Sequence, residues 1–278
     1  MKKILVTGSS GFIGKELIKK TSDLKIITDS TNGEKIDLLN KNDVMKIESA
    51  DIVIHLASKT PLKELDDLEY FRNNLIITTN VLEYCIKKKI KKLIYISSYV
   101  YGNPEYFPID ENHPINPHNA YTESKYIGER LCKFFSENSK LNVIILRPFN
   151  IFGESMKDGY FLSNIINSSK TNEKIKILNK NSKRDFLHVN DFVNAILRAI
   201  DYECKFEIFN VGSGESFSFE EIISKIENFL NIKLNIDYND DKKQSIQEIE
   251  ADITKIKNSL NWKPKRKFEE ELLKMLKK

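Results

Sequence analysis

Short runs of consecutive apolar residues alternate with helical patterns through the first half of the chain. Residues 3–7, 25–28, 51–56, 92–97 and 142–146 are nearly continuous in Val, Ile and Leu. Runs of that length read as strands buried on both faces, as in a parallel sheet. Between them, residues 11–20, 75–88 and 121–135 carry apolar positions at helical spacing. This alternation predicts an α/β fold with a doubly wound parallel sheet. Prolines 104, 108, 114 and 117 break up the stretch after the fourth strand. No regular element persists there, and loops at strand C-termini are where open α/β sheets bind ligands.

Beyond Pro148 the pattern loosens. Residues 154–183 are polar, with one helix at 160–166 and a short strand at 175–178. Residues 189–200 and 219–230 read as helices, the second behind Ser218 as N-cap, and 207–211 as a strand. An amphipathic stretch at 268–276 follows. Two parts are expected. A nucleotide-binding domain takes residues 1–153 plus 184–212. A smaller mixed α/β substrate-binding lobe takes residues 154–183 plus 213–278.

The 278 residues are 40% hydrophobic and 30% charged, which fits a folded globular chain. A net charge of +4, spread over 44 basic and 40 acidic residues, argues against a nucleic-acid partner. Cys85, Cys132 and Cys204 are widely spaced. They suggest neither a disulfide framework nor a metal site, and Cys85 and Cys132 read as packing residues. No apolar run approaches the roughly 20 residues of a membrane span. The first strand leaves no room for a signal peptide, so a cytoplasmic protein is expected.

Chemistry enters with Gly8, Gly11 and Gly14, which punctuate the turn from the first strand into the first helix. Gly8 permits the tight turn, Gly11 a close approach by pyrophosphate, and Gly14 close helix–strand packing, with helix amides facing the phosphates. The turn therefore reads as a Rossmann-type dinucleotide site; a purely structural turn is the alternative. Asp29 ends the second strand, where a carboxylate can accept from ribose hydroxyls and repels a 2′-phosphate. That favours NAD, with NADP as the alternative; the plainer reading of Asp29 is a solvated loop acid. Asp37 is a weaker candidate for the adenine amine. Tyr121 and Lys125 lie one turn apart on a helix, so the ammonium favours tyrosinate. Poising a tyrosine near neutrality requires about 4 kcal/mol. A cation at about 5–6 Å in an effective dielectric of about 20 supplies about 3 kcal/mol. Two side chains on a solvated helix face would give the same spacing. The serine pair Ser97–Ser98 closes the fourth strand.

These motifs lie in a wider set: TGSSGFIG at 7–14, HLAS at 55–58, RNNLIITTNVLEYC at 72–85, ISSYVYG at 96–102 and YTESK at 121–125. LRPFNIFGE at 146–154, RDFLHVNDF at 184–192, FNVGSGESFS at 209–218 and ADITKIKNSLNWKP at 251–264 complete it. Together they resemble the extended short-chain dehydrogenases/reductases, in the family of NAD-dependent epimerases and dehydratases of nucleotide sugars. The resemblance implies catalytic roles for Ser97, with Ser98 as the fallback, and for Tyr121 and Lys125. Tyr121 would exchange the proton of the sugar hydroxyl, Ser97 would hold that oxygen, and Lys125 would also bind the nicotinamide ribose. It implies an NAD site that adds Ser10, Phe12, Ile13, Leu38, Leu56, Ala57 and Asn74 to the residues named above. Asn74 would support the site's architecture, which a plain buried asparagine does as well. Ser98, Tyr99, Asn150, Arg184 and Lys242 would face the nucleotide-sugar substrate. His188 and Trp262 read as structural.

Departures narrow the activity. Dehydratases of this family carry Thr-Asp-Glu where this chain has Ser97-Ser98-Tyr99, so the acid and base of dehydration are missing. The loop 58–69 and the stretch 154–183 are short, which leaves the sugar open. Lys242 and Lys243 stand where the family often has a phosphate-binding arginine, giving charge without its bidentate fork. An epimerase retaining NAD is expected. A ketoreductase consuming NAD(P)H on a keto-deoxy sugar nucleotide is the alternative; a non-catalytic nucleotide sensor ranks below both. The resemblance also implies a homodimer through the helices at 74–88 and 121–138, with Ile127, Leu131, Phe134 and Phe135 supplying apolar surface.

Overall fold

The computed structural model of the chain describes residues 2–21, 24–31, 34–60, 66–238 and 247–277. In chain order its elements are β1 (Lys3–Thr7), α1 (Phe12–Lys19), β2 (Lys25–Thr28), β3 (Ser30–Thr31), β4 (Glu34–Lys35), α2 (Lys41–Lys46) and β5 (Ile52–His55). Then come α3 (Asp67–Lys87), β6 (Lys92–Ile96), α4 (Ala120–Glu137), β7 (Asn142–Pro148), β8 (Asn150–Phe152), α5 (Phe161–Thr171) and β9 (Ile175–Ile177). The rest are β10 (Lys183–His188), α6 (Val189–Asp201), β11 (Phe206–Val211), β12 (Ser216–Ser218), α7 (Phe219–Leu230), β13 (Ile236–Tyr238), α8 (Thr254–Leu260) and α9 (Phe268–Leu276). Among the described residues no helix is long and apolar enough to cross a membrane.

The chain divides into two units: 1–101 with 115–148 and 193–209, and 102–114 with 149–192 and 210–278. The first holds a sheet of order β11-β7-β6-β5-β1-β2. β1 pairs in parallel with β2 and β5, β5 with β6, and β6 with β7. This is the doubly wound, Rossmann-type arrangement expected. Every residue of β5 and β6 is buried, as their near-continuous apolar runs require. Leu5, Val53, Leu93, Val143 and Ile145 join Val81, Cys85 and Cys132 in one core, which places both cysteines as packing residues. The prolines leave no helix or strand between β6 and α4.

α3 begins at Asp67 rather than near residue 75, because Asp66 caps it by accepting from the Glu69 amide at 2.7 Å. Its first two turns mix Leu68, Tyr70 and Phe71 with Asp67, Glu69, Arg72 and two asparagines, so no apolar stripe marks them. Lys92, at the end of the lysine-rich run 87–92, is buried. Its ammonium donates to the carbonyls of Ile200 and Tyr202, both at 2.7 Å, and so caps the C-terminal end of α6.

The second unit carries a three-stranded sheet, β12-β10-β8, and the pair β13-β9. Because β8 and β10 pair with each other, residues 149–153 and 184–192 group with this unit. So do 210–212 and the proline-rich 102–114, a different division from the expected boundaries. Phe152, Phe186 and Phe268 centre its core with Ile222, Ile226 and Leu272. Ser218 and Glu221 form a reciprocal capping box on α7, as the sequence predicts for Ser218. Trp262 Nε1 donates to the Asp191 carbonyl at 3.0 Å, an anchor for the chain after α8. His188 lies edge-on to Phe152 and 3.7 Å from Glu271, in a structural setting.

Asp185 is the polar clamp of this unit. Its buried carboxylate accepts from the Ser213 amide and hydroxyl at 2.6 and 2.7 Å, the Gly214 amide at 3.0 Å and the Ala251 amide at 3.2 Å. Burial pushes its pKa up to about 6 against those donors. Asp185→Ala strands three amides and is expected to destabilise the protein by about 3–5 kcal/mol, read from urea unfolding. A loss below about 1 kcal/mol would show that the clamp is dispensable.

Candidate active site

The glycine turn is built as its sequence predicts. Gly8 has φ +73°, and a Cβ there would lie 2.7 Å from the Ala57 nitrogen. A Cβ on Gly14 would lie 2.3 Å from the Gly8 carbonyl oxygen, whereas one on Gly11 meets only that oxygen, at 3.1 Å. Gly11 is the N-cap of α1, with no side chain bonded to the helix end. An anion therefore has both space at Gly11 and the amides of Phe12, Ile13 and Gly14 above it. Ser10 is exposed, and Phe12 and Ile13 are half-buried.

Asp29 is buried and bonded to this turn. It accepts from the Gly8 amide at 2.9 Å, the Ser9 hydroxyl at 2.7 Å and the Ser9 amide at 3.4 Å. A carboxylate has about four lone-pair positions, so one stays open to a ribose hydroxyl, and more open if Ser9 moves. The plain solvated loop acid is thereby set aside. Asp37 is exposed and its side chain accepts from the Leu39 amide at 3.0 Å, while Leu38 is buried. Asn80 donates to the carbonyls of Leu38 and Leu39, fixing that corner. Leu56 and Ala57 follow β5 against Gly8; the Leu56 amide donates to the Thr7 carbonyl.

Ser97 follows β6, and α4, which carries Tyr121 and Lys125, brings Lys125 to that strand end. Lys125 is buried and its ammonium donates to the Ile96 carbonyl at 2.8 Å, one residue before Ser97. It lies 5.1 Å from the centroid of the Tyr95 ring. Burial lowers its pKa to about 8. The solvated-face reading of the Tyr–Lys pair does not survive this burial. Asn74 on α3 is buried and ties the region together. Its side chain accepts from the Lys59 amide at 2.8 Å and donates to the Lys59 carbonyl and to Ser124 Oγ. Ser124 in turn donates to the Tyr121 carbonyl at 2.7 Å. Ser98 is half-buried, and Tyr99 is buried edge-on to Tyr101.

Several residues here were not singled out in the sequence. Gly128 lets α4 approach the sheet: a Cβ would lie 2.1 Å from the Tyr95 hydroxyl oxygen. His55 Nδ1 and Thr7 Oγ1 are 2.7 Å apart, and His55 Nε2 has no partner. Burial, then the nearby Lys125 charge, lowers the His55 pKa to about 3. Its imidazole stays neutral in the fold but takes a proton below pH 6.5 once unfolded. Stability from this group is complete above pH 6.5 and falls as pH drops towards 3. The expected slope is up to about 1.4 kcal/mol per pH unit. Urea unfolding between pH 6.5 and 4.5 should therefore be less steeply pH-dependent in His55→Asn; equal slopes would refute the assignment. Glu129 and Arg147 form a buried ion pair reaching Ser97. Its signal was present: Glu129 continues the Tyr121, Lys125 spacing, and an arginine closing an apolar strand calls for a buried partner.

The expected substrate residues of the second unit lie on neighbouring strands. Asn150 on β8 donates to the Asp185 carbonyl of β10 at 3.0 Å. Arg184 on β10 stacks over Phe219 at 5.3 Å, and its Nη1 donates to the Lys183 carbonyl. Lys242, like Lys243, lies outside the described residues.

Comparison with known proteins agrees with this geometry. The ADP-L-glycero-D-manno-heptose-6-epimerase of Brachyspira hyodysenteriae is 32% identical over 79% of this chain and 78% of its own length. The structure of RMD from Pseudomonas aeruginosa complexed with NADPH superposes with a TM-score of 0.89 at 26% identity, covering 100% of this chain and 98% of that one. A UDP-N-acetylglucosamine 4-epimerase from Methanobrevibacter ruminantium, in complex with UDP-N-acetylmuramic acid, gives a TM-score of 0.87 at 27% identity, covering 99% and 97%. The sequence model of the NAD dependent epimerase/dehydratase family matches residues 4–212, from the first residues of β1 to the end of β11. The glycine turn and the Ser97, Tyr121 and Lys125 cluster both lie within that match, and the chain belongs to this family of NAD-dependent enzymes.

Proposed function

We propose that the protein is a nucleotide-sugar epimerase that inverts one sugar carbon through a transient keto sugar, with NAD retained. The observation that carries this reading is the convergence of α4 on the end of β6, where the Lys125 ammonium meets the carbonyl next to Ser97. NAD, when bound, supplies an acceptor and donor of hydride. The protein's residues manage the proton and the geometry. Tyr121 takes the proton of the sugar hydroxyl and gives it back, and Lys125 stabilises its anion. Ser97 orients the reacting oxygen. Gly8, Ser10, Gly11, Phe12, Ile13 and Gly14 hold the pyrophosphate; Asp29, Asp37, Leu38, Leu56 and Ala57 border the adenosine, and Asn74 supports the site. Asn150 and Arg184 on β8 and β10, and Lys242, are the candidates for the substrate's phosphates, and Ser98 and Tyr99 are those for its sugar. None of positions 97, 98 and 99 carries an acidic residue of the kind the family's dehydratases have there.

A panel of nucleotide sugars, followed for isomer interconversion and for cofactor oxidation, tests the proposal. Interconversion without net change in NADH absorbance is expected. If no sugar nucleotide binds, the substrate class is wrong. The NADPH bound to the Pseudomonas relative favours a second reading, a reductase consuming NAD(P)H. Asp29, just after β2, weighs against NADPH in that reading, because its carboxylate repels a 2′-phosphate, and leaves NADH open. We further propose a homodimer through α3 and α4, where Ile76, Ile86 and Phe134 are exposed. Leu131 and Phe135 pack instead against the unit's own core. A monomeric mass in sedimentation equilibrium would exclude the dimer.

A further inference from the structure

Behind Ser97 stands a charged group that the proton chemistry above does not use. The Ser97 hydroxyl donates to Glu129 Oε1 at 2.5 Å. Arg147 clasps the same carboxylate at two points, Nε to Oε1 at 2.9 Å and Nη2 to Oε2 at 2.6 Å. That fork favours the ionised carboxylate, so the serine is the donor. Arg147 Nη1 also donates to the Tyr101 hydroxyl at 2.8 Å, and its guanidinium lies 5.1 Å over that ring. Both charged side chains are 3% exposed.

Local structure puts these groups together. Tyr121, Lys125 and Glu129 recur every four residues, one stripe along α4. The pairing of β6 with β7 aligns Ile96 with Leu146, so Ser97 and Arg147 follow side by side at the strand ends. A buried ion pair brings little net stability, because desolvation offsets the attraction. Its place here calls for another explanation.

We infer that Glu129, held by Arg147, is a positioning residue for Ser97. It fixes the serine rotamer through the serine's own proton, so that Oγ stays in place against the reacting oxygen. No proton passes to Ser97 or Glu129; the proton of the sugar hydroxyl goes to Tyr121. This inference rests on the catalytic reading of Ser97.

The test is a mutant cycle on the NAD-loaded enzyme with the sugar nucleotide that the panel identifies. Glu129→Leu with Arg147→Met replaces the pair by apolar side chains of similar volume, a change that folds often tolerate. It is expected to lower kcat roughly 10–100-fold, with KM changed less than about twofold. NAD affinity by calorimetry should be unchanged. In a Ser97→Ala background the same replacement should cost less than about twofold, because the residue it acts through is gone. Equal costs in both backgrounds would overturn the positioning role and leave the pair a fold element. Wild-type turnover in Ser97→Ala alone would overturn the catalytic reading and this inference with it. Should the apolar pair fail to fold by circular dichroism, Glu129→Asp serves in the same cycle. It keeps the charge for Arg147 but ends one methylene short of Ser97, and the same comparison decides.

Discussion

Tyr121→Phe is expected to lower turnover by about 10³-fold or more while the protein keeps its fold and its NAD. The substitution removes one oxygen. The backbone around it is held by other groups: Ser124 Oγ donates to the Tyr121 carbonyl, and Asn74 donates to Ser124. Asn119 and Thr122 close a capping box on the same helix end. The ring therefore stays where it is, and Lys125 keeps its bond to the Ile96 carbonyl. What disappears is the group to which the proposed mechanism assigns the hydroxyl proton, and no other residue named in the site replaces it. Turnover within about tenfold of wild type would remove Tyr121 from the chemistry.

Gly14→Ala should have the next largest effect, on cofactor retention. Its Cβ would stand 2.3 Å from the Gly8 carbonyl oxygen and 2.7 Å from that of Ser9, both backbone atoms that cannot rotate away. Nor can the turn retreat easily, because Gly8 is already packed against Leu56 and Ala57. The loop must open, at a cost of about 1–3 kcal/mol for a strained core contact. The amides then lose their alignment on the phosphates. The purified variant should carry little or no NAD, measured by absorbance after acid release, and should unfold at lower urea. Gly11→Ala separates the two effects: its Cβ has only one neighbour, at 3.1 Å, so stability should hold while NAD binding still weakens. A Gly14→Ala protein with a full complement of NAD would show that the turn does not hold the cofactor.

Much of the first unit was legible because its strands are uninterrupted apolar runs and its turn needs glycine for steric reasons. That Tyr121 and Lys125 share one face of α4 was legible because a four-residue helical spacing is itself a spatial statement, whereas Ser97 was given its role on the resemblance alone. The second unit was less so. β8 and β10 are short strands whose residues, such as Asn150, Arg184 and Asp185, are polar for reasons that emerge only across strands. α8 escaped notice because seven residues with two lysines and one asparagine show little apolar face. Glu129 and Arg147 illustrate the general limit. Each is a charged residue in a run that reads correctly as helix or strand, and nothing local says that the two meet behind a serine 32 positions from one of them. The same limit applies to Lys92, whose partners are 108 and 110 residues away.

The central claim is that one sugar centre is inverted by removing and returning the same hydride. The most direct measurement uses the sugar nucleotide that turns over, deuterated at the inverting carbon, with both isomers analysed by mass spectrometry and NMR. The account predicts that deuterium stays at that carbon in both isomers, with no net oxidation or reduction of cofactor. Loss of the label to solvent, or consumption of NAD(P)H in step with product, would contradict it.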